Sequence, residues 1–522
     1  MNEIAVKESY DVVIVGAGAA GGVIAERATR AGKRVLLLEA GPARQLDDLA
    51  SSQIWARKLK WSGPWVEEEG NFKVGHVFNA GWGTGGSALH HYGVWPRLHE
   101  ADFEVASRYE VGLDWPLAYD DLRPFYDTVQ AEVGLSGDST GETWRPSGEP
   151  YPLPPVPVFA QGDVIRSGFE AMGLKTSAIP LAINTREYKG RSGCLYDGWC
   201  DAGCPIGALA NPLVTYLGWA LKAGAEIRNR AQATRILHDD AGKRATGVEY
   251  VDGAGAKKQV MADTVVVAAF AVQSARLLLA SASPRHPDGL SNRNGVLGRY
   301  LMTHPSASVY GLFDKETQPH LGPTAGQLLC QENYDDKTAY PDTFGSYQWL
   351  IANAMKPNDL LGIATTRPDI IGERLQPFMD AAVKHIGNMV CVSEDIALPD
   401  NRITLSNNKD AHGVPLARTV HNITQPSEKL LAVAMEQGKQ VFAAGGAGEV
   451  WASAPFAMHI MGGTVMGNDA ATSVTDSYGR CHELDNVYVA GTGLFPSSGA
   501  VNPTFTLHAL ALRTAEHLFG KA

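Results

Sequence analysis

Two groups of residues in this sequence have types and spacings suited to chemistry. The first is Gly16-x-Gly18-x-x-Gly21, which follows the apolar run YDVVIVG and opens AAGGVIAERATRAG, a segment of helical spacing. In a strand–turn–helix of this kind, Gly16 makes the tight turn and Gly18 lets the backbone approach a pyrophosphate. Gly21 lets helix and strand pack closely, and the helix N-terminus presents free N–H groups to the phosphates. Glu39 lies 18 positions beyond Gly21, at the end of the next apolar run, KRVLLLEAG. It is placed to accept hydrogen bonds from an adenosine ribose. The finger specifies a dinucleotide without separating FAD from NAD.

The second group is RSGCLYDGWCDAGCPIGALANP (191–212), in which Cys194, Cys200 and Cys204 are spaced C-x5-C-x3-C and Pro205 follows the last. Thiolates in a tight glycine-containing loop can converge on a soft metal centre, and Cys-Pro also ends ferredoxin cluster motifs. Three ligands with no local fourth suit a three-iron cluster better than structural zinc, which takes four protein ligands. A zinc site completed from afar and a disulfide with one spare thiol are the alternatives. Cys330, Cys391 and Cys481 are isolated and read as buried small residues.

The elements that must position these groups belong to a long, folded chain. Its 522 residues exceed one ordinary domain, and 44% hydrophobic with 19% charged residues is the composition of a folded protein. A net charge of −11 argues against a nucleic-acid partner, because phosphate binding needs a basic surface. No stretch has the roughly 18 apolar residues of a transmembrane helix. The first ten residues contain no apolar signal core, which implies a cytoplasmic enzyme, or a periplasmic one if a partner subunit carries the export signal. Residues 43–100 show little periodicity and read as ordered loop. GEPYPLPPVPVF (148–159) reads as an extended connector. Valine-, isoleucine- and leucine-rich strands separated by turns fill 301–455, including LPDNRITLSNNKDAHGVPLARTV (398–420), and suggest an antiparallel sheet. The glycine-rich texture of the beginning returns from 456, so the nucleotide domain is discontinuous.

That returning segment contains MHIMGGTVMG (458–467) and NVYVAGTGLFPSSGAVNPTFTLHALALRTAEHL (486–518). With the finger, these motifs resemble the glucose–methanol–choline (GMC) family of flavoprotein oxidoreductases. NAGWGTGGSALHHYG (79–93) is similar to that family's first signature and AVQSARLLLASAS (271–283) to its second. GRYLMTHP (298–305) is similar to its loop before the substrate domain. The resemblance spans essentially the whole chain. It implies an α/β plus α+β fold, with a Rossmann-like FAD-binding domain and a substrate domain on a mainly antiparallel sheet. The FAD-binding domain then comprises 1–160, 161–300 (with the cysteine loop) and 456–522, and the substrate domain 301–455.

For the site, the resemblance implies that FAD meets Gly85, Gly86, Ser87 and His90 of the first signature and Gly491, Asn502, Pro503 and Thr504 of the last. His459 and Asn502 become the catalytic pair at the flavin. Oxidising an alcohol removes a proton from oxygen and a hydride from carbon. An imidazole can take the proton while an amide holds the hydroxyl. Some relatives resembling pyranose oxidases bond a histidine to the flavin near the position of His90; here it is assigned to the cofactor site without a bond. His304, His482, His508 and His517 receive no role. The cysteine spacing resembles GMC sugar and alcohol dehydrogenases that hold a 3Fe-4S cluster and often work with a small partner subunit and a cytochrome c. The expected activity is therefore an FAD-dependent dehydrogenase acting on a small-molecule alcohol or sugar. A peroxide-forming oxidase, a lyase with structural FAD, and a zinc-stapled flavin-binding protein are the competing readings. Trp55, Trp61 and Trp65 are available to stack on a sugar, to line an apolar alcohol pocket, or to fill core.

Overall fold

Strand Ser9–Val15 is rich in valine and isoleucine because it is flanked by parallel partners inside a covered sheet. Gly16, at φ +106°, turns the chain toward helix Ala19–Arg30; a Cβ there would meet the Ala268 carbonyl oxygen at 2.4 Å. Gly21 brings the helix so close to the turn that a Cβ would lie 2.1 Å from the Gly16 carbonyl oxygen. This computed structural model describes residues 8–521.

The first sheet has seven strands. Glu226–Arg228, Val35–Leu38, Ser9–Val15, Lys257–Val267 and Val487–Val489 run parallel, and Ala245–Val251 and Gln232–His238 add an antiparallel ribbon. The second sheet also has seven strands, paired antiparallel throughout, with Met302–Phe313 and Ile386–Ser393 at its centre. Helices Ala160–Ala171 and Gln425–Ala444 cover it through a core that includes Ile165, Phe169, Trp349 and Phe442. This is the mixed α/β and antiparallel architecture that the sequence implies. Strand Phe456–Met461 hydrogen-bonds to Met302–Phe313, so the returning segment crosses from the second sheet back to the first.

Two stretches differ from their sequence reading. Residues 43–100 contain helix Gln53–Lys60, strand Val66–Glu69 and the short helix His76–Asn79. The strand reads VEEE and has no apolar alternation of its own; Pro415–Val420, some 350 residues away, supplies its ladder. The hairpin Arg402–Lys409/Pro415–Val420 completes that third sheet with Val66–Glu69 instead of joining the large antiparallel one. It is tied to helix Ala271–Ala280 by Arg276, which donates to Asp410 at 2.7 Å and to the Pro415 carbonyl at 2.6 Å. Among the described residues, no helix is long and apolar enough to cross a membrane.

Candidate active site

One cavity of about 340 Å³ runs between the finger and the returning C-terminal motifs. Gly16, Gly18, Glu39, Gly86, Ser87 and His90 line it together with His459, Gly491, Asn502, Pro503 and Thr504. Gly21 and Gly85 stand outside its lining, as do Cys194, Cys200 and Cys204. None of Trp55, Trp61 and Trp65 is part of its lining, and Trp61 and Trp65 are exposed.

The finger end suits a dinucleotide. Helix Ala19–Arg30 has no side-chain cap and no acidic residue in its first turn, so its N–H groups are free to meet phosphate. Glu39 accepts from the backbone N–H groups of Ala17 (3.1 Å), Gly41 (2.8 Å) and Gly83 (3.0 Å). A carboxylate has about four lone-pair positions, so one remains for a ribose hydroxyl. His90 Nε2 and Gln273 Nε2 are buried in the cavity wall without a protein partner, as groups awaiting a polar ligand are. The residues present therefore fit FAD.

At the other end, a backbone irregularity delivers the imidazole. Strand Phe456–Met461 pairs with Met302–Phe313 at Met458 and again at Met461, with a register shift between them. His459 sits in that shift at φ +58°, a conformation costly for any non-glycine residue, which turns its ring into the cavity. Its Nε2 lies 3.2 Å from Asn502 Nδ2 and its Nδ1 lies 2.8 Å from His304 Nδ1. Burial, with His304 beside it, holds the His459 imidazole well below the usual histidine range, so it is a neutral base near pH 7. Asn502 Oδ1 accepts from Gln348 Nε2 at 3.2 Å, and Gln348 Oε1 accepts from Gln331 Nε2 at 3.0 Å. The amide group of Asn502 is thereby left to donate toward His459 and a substrate oxygen. The sequence reading missed His304 and Gln348. A lone glutamine in the apolar run YQWLI was the available signal for the second.

The loop carrying Asn502 rests on buried charge. The Ala500 N–H donates to Tyr334 Oη (2.9 Å), and Tyr334 donates to Asp102 (2.8 Å). Lys337 Nζ bridges Asp102 (2.8 Å), Glu394 (2.6 Å) and Ser346 Oγ (3.0 Å). Lys337, Asp102 and Glu394 are essentially inaccessible to solvent. Removing the cation leaves two carboxylates facing each other in the interior. Lys337→Met is therefore expected to lower stability by about 3–5 kcal/mol, read as a fall in the urea midpoint.

The cysteine loop winds tightly, with Tyr196 and Cys204 at φ +55° and +57°. The Tyr196 N–H donates to Cys194 Sγ and the Leu209 N–H to Cys204 Sγ, both at 3.3 Å. All six cysteines are free, so the disulfide alternative is not formed, and Cys330, Cys391 and Cys481 are buried. Cys194, Cys200 and Cys204 share one apolar cluster with Val94 and Leu209. Burial pushes the Cys194 thiol up to about 11 and raises Cys200 and Cys204 as well, so without a metal these thiols are poor nucleophiles. Among the described residues, no three histidine, cysteine, aspartate or glutamate side chains stand close enough to hold one metal ion. The donor set fits an iron–sulfur cluster in kind, with free thiols and backbone N–H groups aimed at sulfur, although the three cysteines do not surround a single metal ion.

A dinucleotide finger at one end of a cavity and an imidazole–amide pair at the other define a nucleotide-dependent oxidoreductase. Residues 10–306 and 397–511 match the sequence pattern of the GMC oxidoreductases, and the chain belongs to that family. It is an FAD-dependent oxidoreductase acting on CH–OH groups. It is 30% identical to the fructose dehydrogenase large subunit of Gluconobacter japonicus, over 97% of both chains. It is equally 30% identical to a 2-methyl-1,2-propanediol dehydrogenase of Mycolicibacterium austroafricanum (98% of this chain, 95% of the other) and to a paromamine 6'-oxidase of Streptomyces fradiae (98% and 91%). The crystal structure of pyridoxine 4-oxidase from Mesorbium loti shares the fold, with a TM-score of 0.69 and 17% identity over 98% of this chain and 99% of that one.

Proposed function

We propose that the protein is a dehydrogenase that oxidises the CH–OH group of a sugar, glycoside or other alcohol to the carbonyl and passes electrons to an external acceptor. The observation that carries this reading is the 3.2 Å approach of Asn502 Nδ2 to His459 Nε2 in the wall of the dinucleotide cavity. FAD bound in that cavity would supply hydride acceptance, and a 3Fe-4S cluster held by Cys194, Cys200 and Cys204 would supply one-electron transfer. His459 Nε2 takes the hydroxyl proton, and Asn502 Nδ2 holds the hydroxyl oxygen so that its C–H faces the cofactor. The neutral state of His459 suits this task. Fixing Asn502 through Gln348 keeps the amide from turning its oxygen toward the substrate. With that cluster bound, electrons would leave singly to a cytochrome or an accompanying subunit. The names of the fructose and 2-methyl-1,2-propanediol relatives support a dehydrogenase.

The test is a panel of sugars, glycosides, and benzylic, allylic and aliphatic alcohols, assayed for flavin bleaching without oxygen and for turnover with an artificial acceptor. At least one class is expected to bleach the flavin, with only slow peroxide formation in air. Rapid stoichiometric peroxide that persists in Cys200→Ser would make the protein an oxidase. Absence of bleaching across the panel would point to the lyase reading.

A further inference from the structure

We infer that His304 is a positioning residue: it selects the tautomer of His459 by anchoring a one-way chain of hydrogen bonds to the carbonyls of Ser498 and Gly499. This rests on the reading of His459 as the base. His304 is completely buried in strand Met302–Phe313. Its Nε2 lies 3.3 Å from the Ser498 oxygen and 3.0 Å from the Gly499 oxygen. Carbonyl oxygens only accept, so His304 carries its proton on Nε2. Burial pushes this imidazole down to about 4, so it is neutral and holds one ring proton only. Its Nδ1 is then a lone pair, and His459 Nδ1, 2.8 Å away, must donate to it. His459 Nε2 is left as a lone pair facing Asn502 Nδ2, which donates.

The remaining links run in the same direction. Gln331 donates to Gln348 and Gln348 to Asn502, so every donor from Gln331 to His304 points toward the two carbonyls. Reversal at any link would set two donors or two acceptors against each other, and an unmade hydrogen bond between buried groups costs about 1–3 kcal/mol. The lone pair of His459 thus faces the cavity before substrate arrives. Without His304, only the Asn502 amide opposes a proton on His459 Nε2, and a proton there blocks abstraction.

Two variants separate the two hydrogen-bonding roles of His304. His304→Gln carries its amide as far from Cβ as Nε2 is, so it can still donate to the carbonyls, but it offers His459 no acceptor. His304→Asn places an amide oxygen where Nδ1 was and restores the acceptor. Anaerobic flavin reduction is expected to slow about 100-fold or more in His304→Gln with KM little changed, since a misplaced imidazole proton costs heavily in base catalysis. It is expected to return to within about tenfold of the parent in His304→Asn.

The second readout is the 15N spectrum of histidine-labelled parent enzyme, with the His459 signals assigned by their loss in His459→Ala. Protonated Nδ1 and unprotonated Nε2 are expected, and this measurement needs no His304 variant to fold. A parent spectrum with the proton on Nε2 overturns the inference, as does parent-rate reduction in His304→Gln. If His459→Ala itself reduces flavin at the parent rate, the base assignment fails. A slow His459→Ala beside a normal His304→Gln refutes the positioning role alone.

Discussion

His459→Ala is expected to slow anaerobic flavin reduction by about 10²–10⁴-fold at pH 7, the range that a positioned general base contributes. FAD is expected to remain bound, because Gly18, Glu39 and the helix N-terminus that suit the dinucleotide form no hydrogen bond with His459 and are untouched by its loss. Folding should change little, since alanine at φ +58° carries much the same backbone cost as histidine there. The pH profile adds a second check. The active form is the neutral imidazole, and burial with His304 alongside holds its pKa well below 6.5. As pH falls through 6.5 the base therefore stays unprotonated, kcat/KM stays flat, and the acid limb appears only well below that value. A limb near 6.5 that vanishes in His459→Ala would show that the imidazole is not held neutral by its surroundings. Reduction at the parent rate in the variant would remove His459 from the chemistry altogether.

Cys200→Ser is expected to abolish turnover with a one-electron acceptor while leaving bleaching of the flavin by substrate intact. Cys200 is buried in the same apolar cluster as Cys204. Serine keeps the shape of the side chain, but its hard oxygen is a weak ligand for iron in a sulfur site. Iron and acid-labile sulfide should fall together in the variant. The parent should show the electron paramagnetic resonance of an oxidised three-iron cluster. Stoichiometric zinc without iron in the parent would assign the loop to structure instead. Unchanged acceptor turnover in Cys200→Ser would mean that electrons leave by another route.

These two experiments probe parts of the molecule that were unequally legible in the sequence. The finger was readable because its causes are local. Gly16, Gly18 and Gly21 act within one strand–turn–helix, and at Gly16 and Gly21 a Cβ would strike backbone at 2.4 and 2.1 Å. Glu39 was readable as a strand end, but not the three N–H donors that hold it, since one comes from Gly83 in a distant loop. The Val66–Glu69 strand was invisible because its partner strand lies far along the chain. His304 looked like one ordinary histidine among 15, and only its approach to His459 gives it a role.

The sequence by itself determined that the chain folds around a dinucleotide finger, that three cysteines crowd into eleven residues, and that His459 and Asn502 lie in returning motifs. Those facts follow from short-range spacing, which the chain carries whatever its final shape. Tertiary structure alone decided that a register shift turns the His459 ring toward Asn502, and that Gln348 and His304 orient both. Each of those contacts joins residues more than 40 positions apart, where geometry is set by how sheets and loops pack and leaves no periodic trace in the sequence.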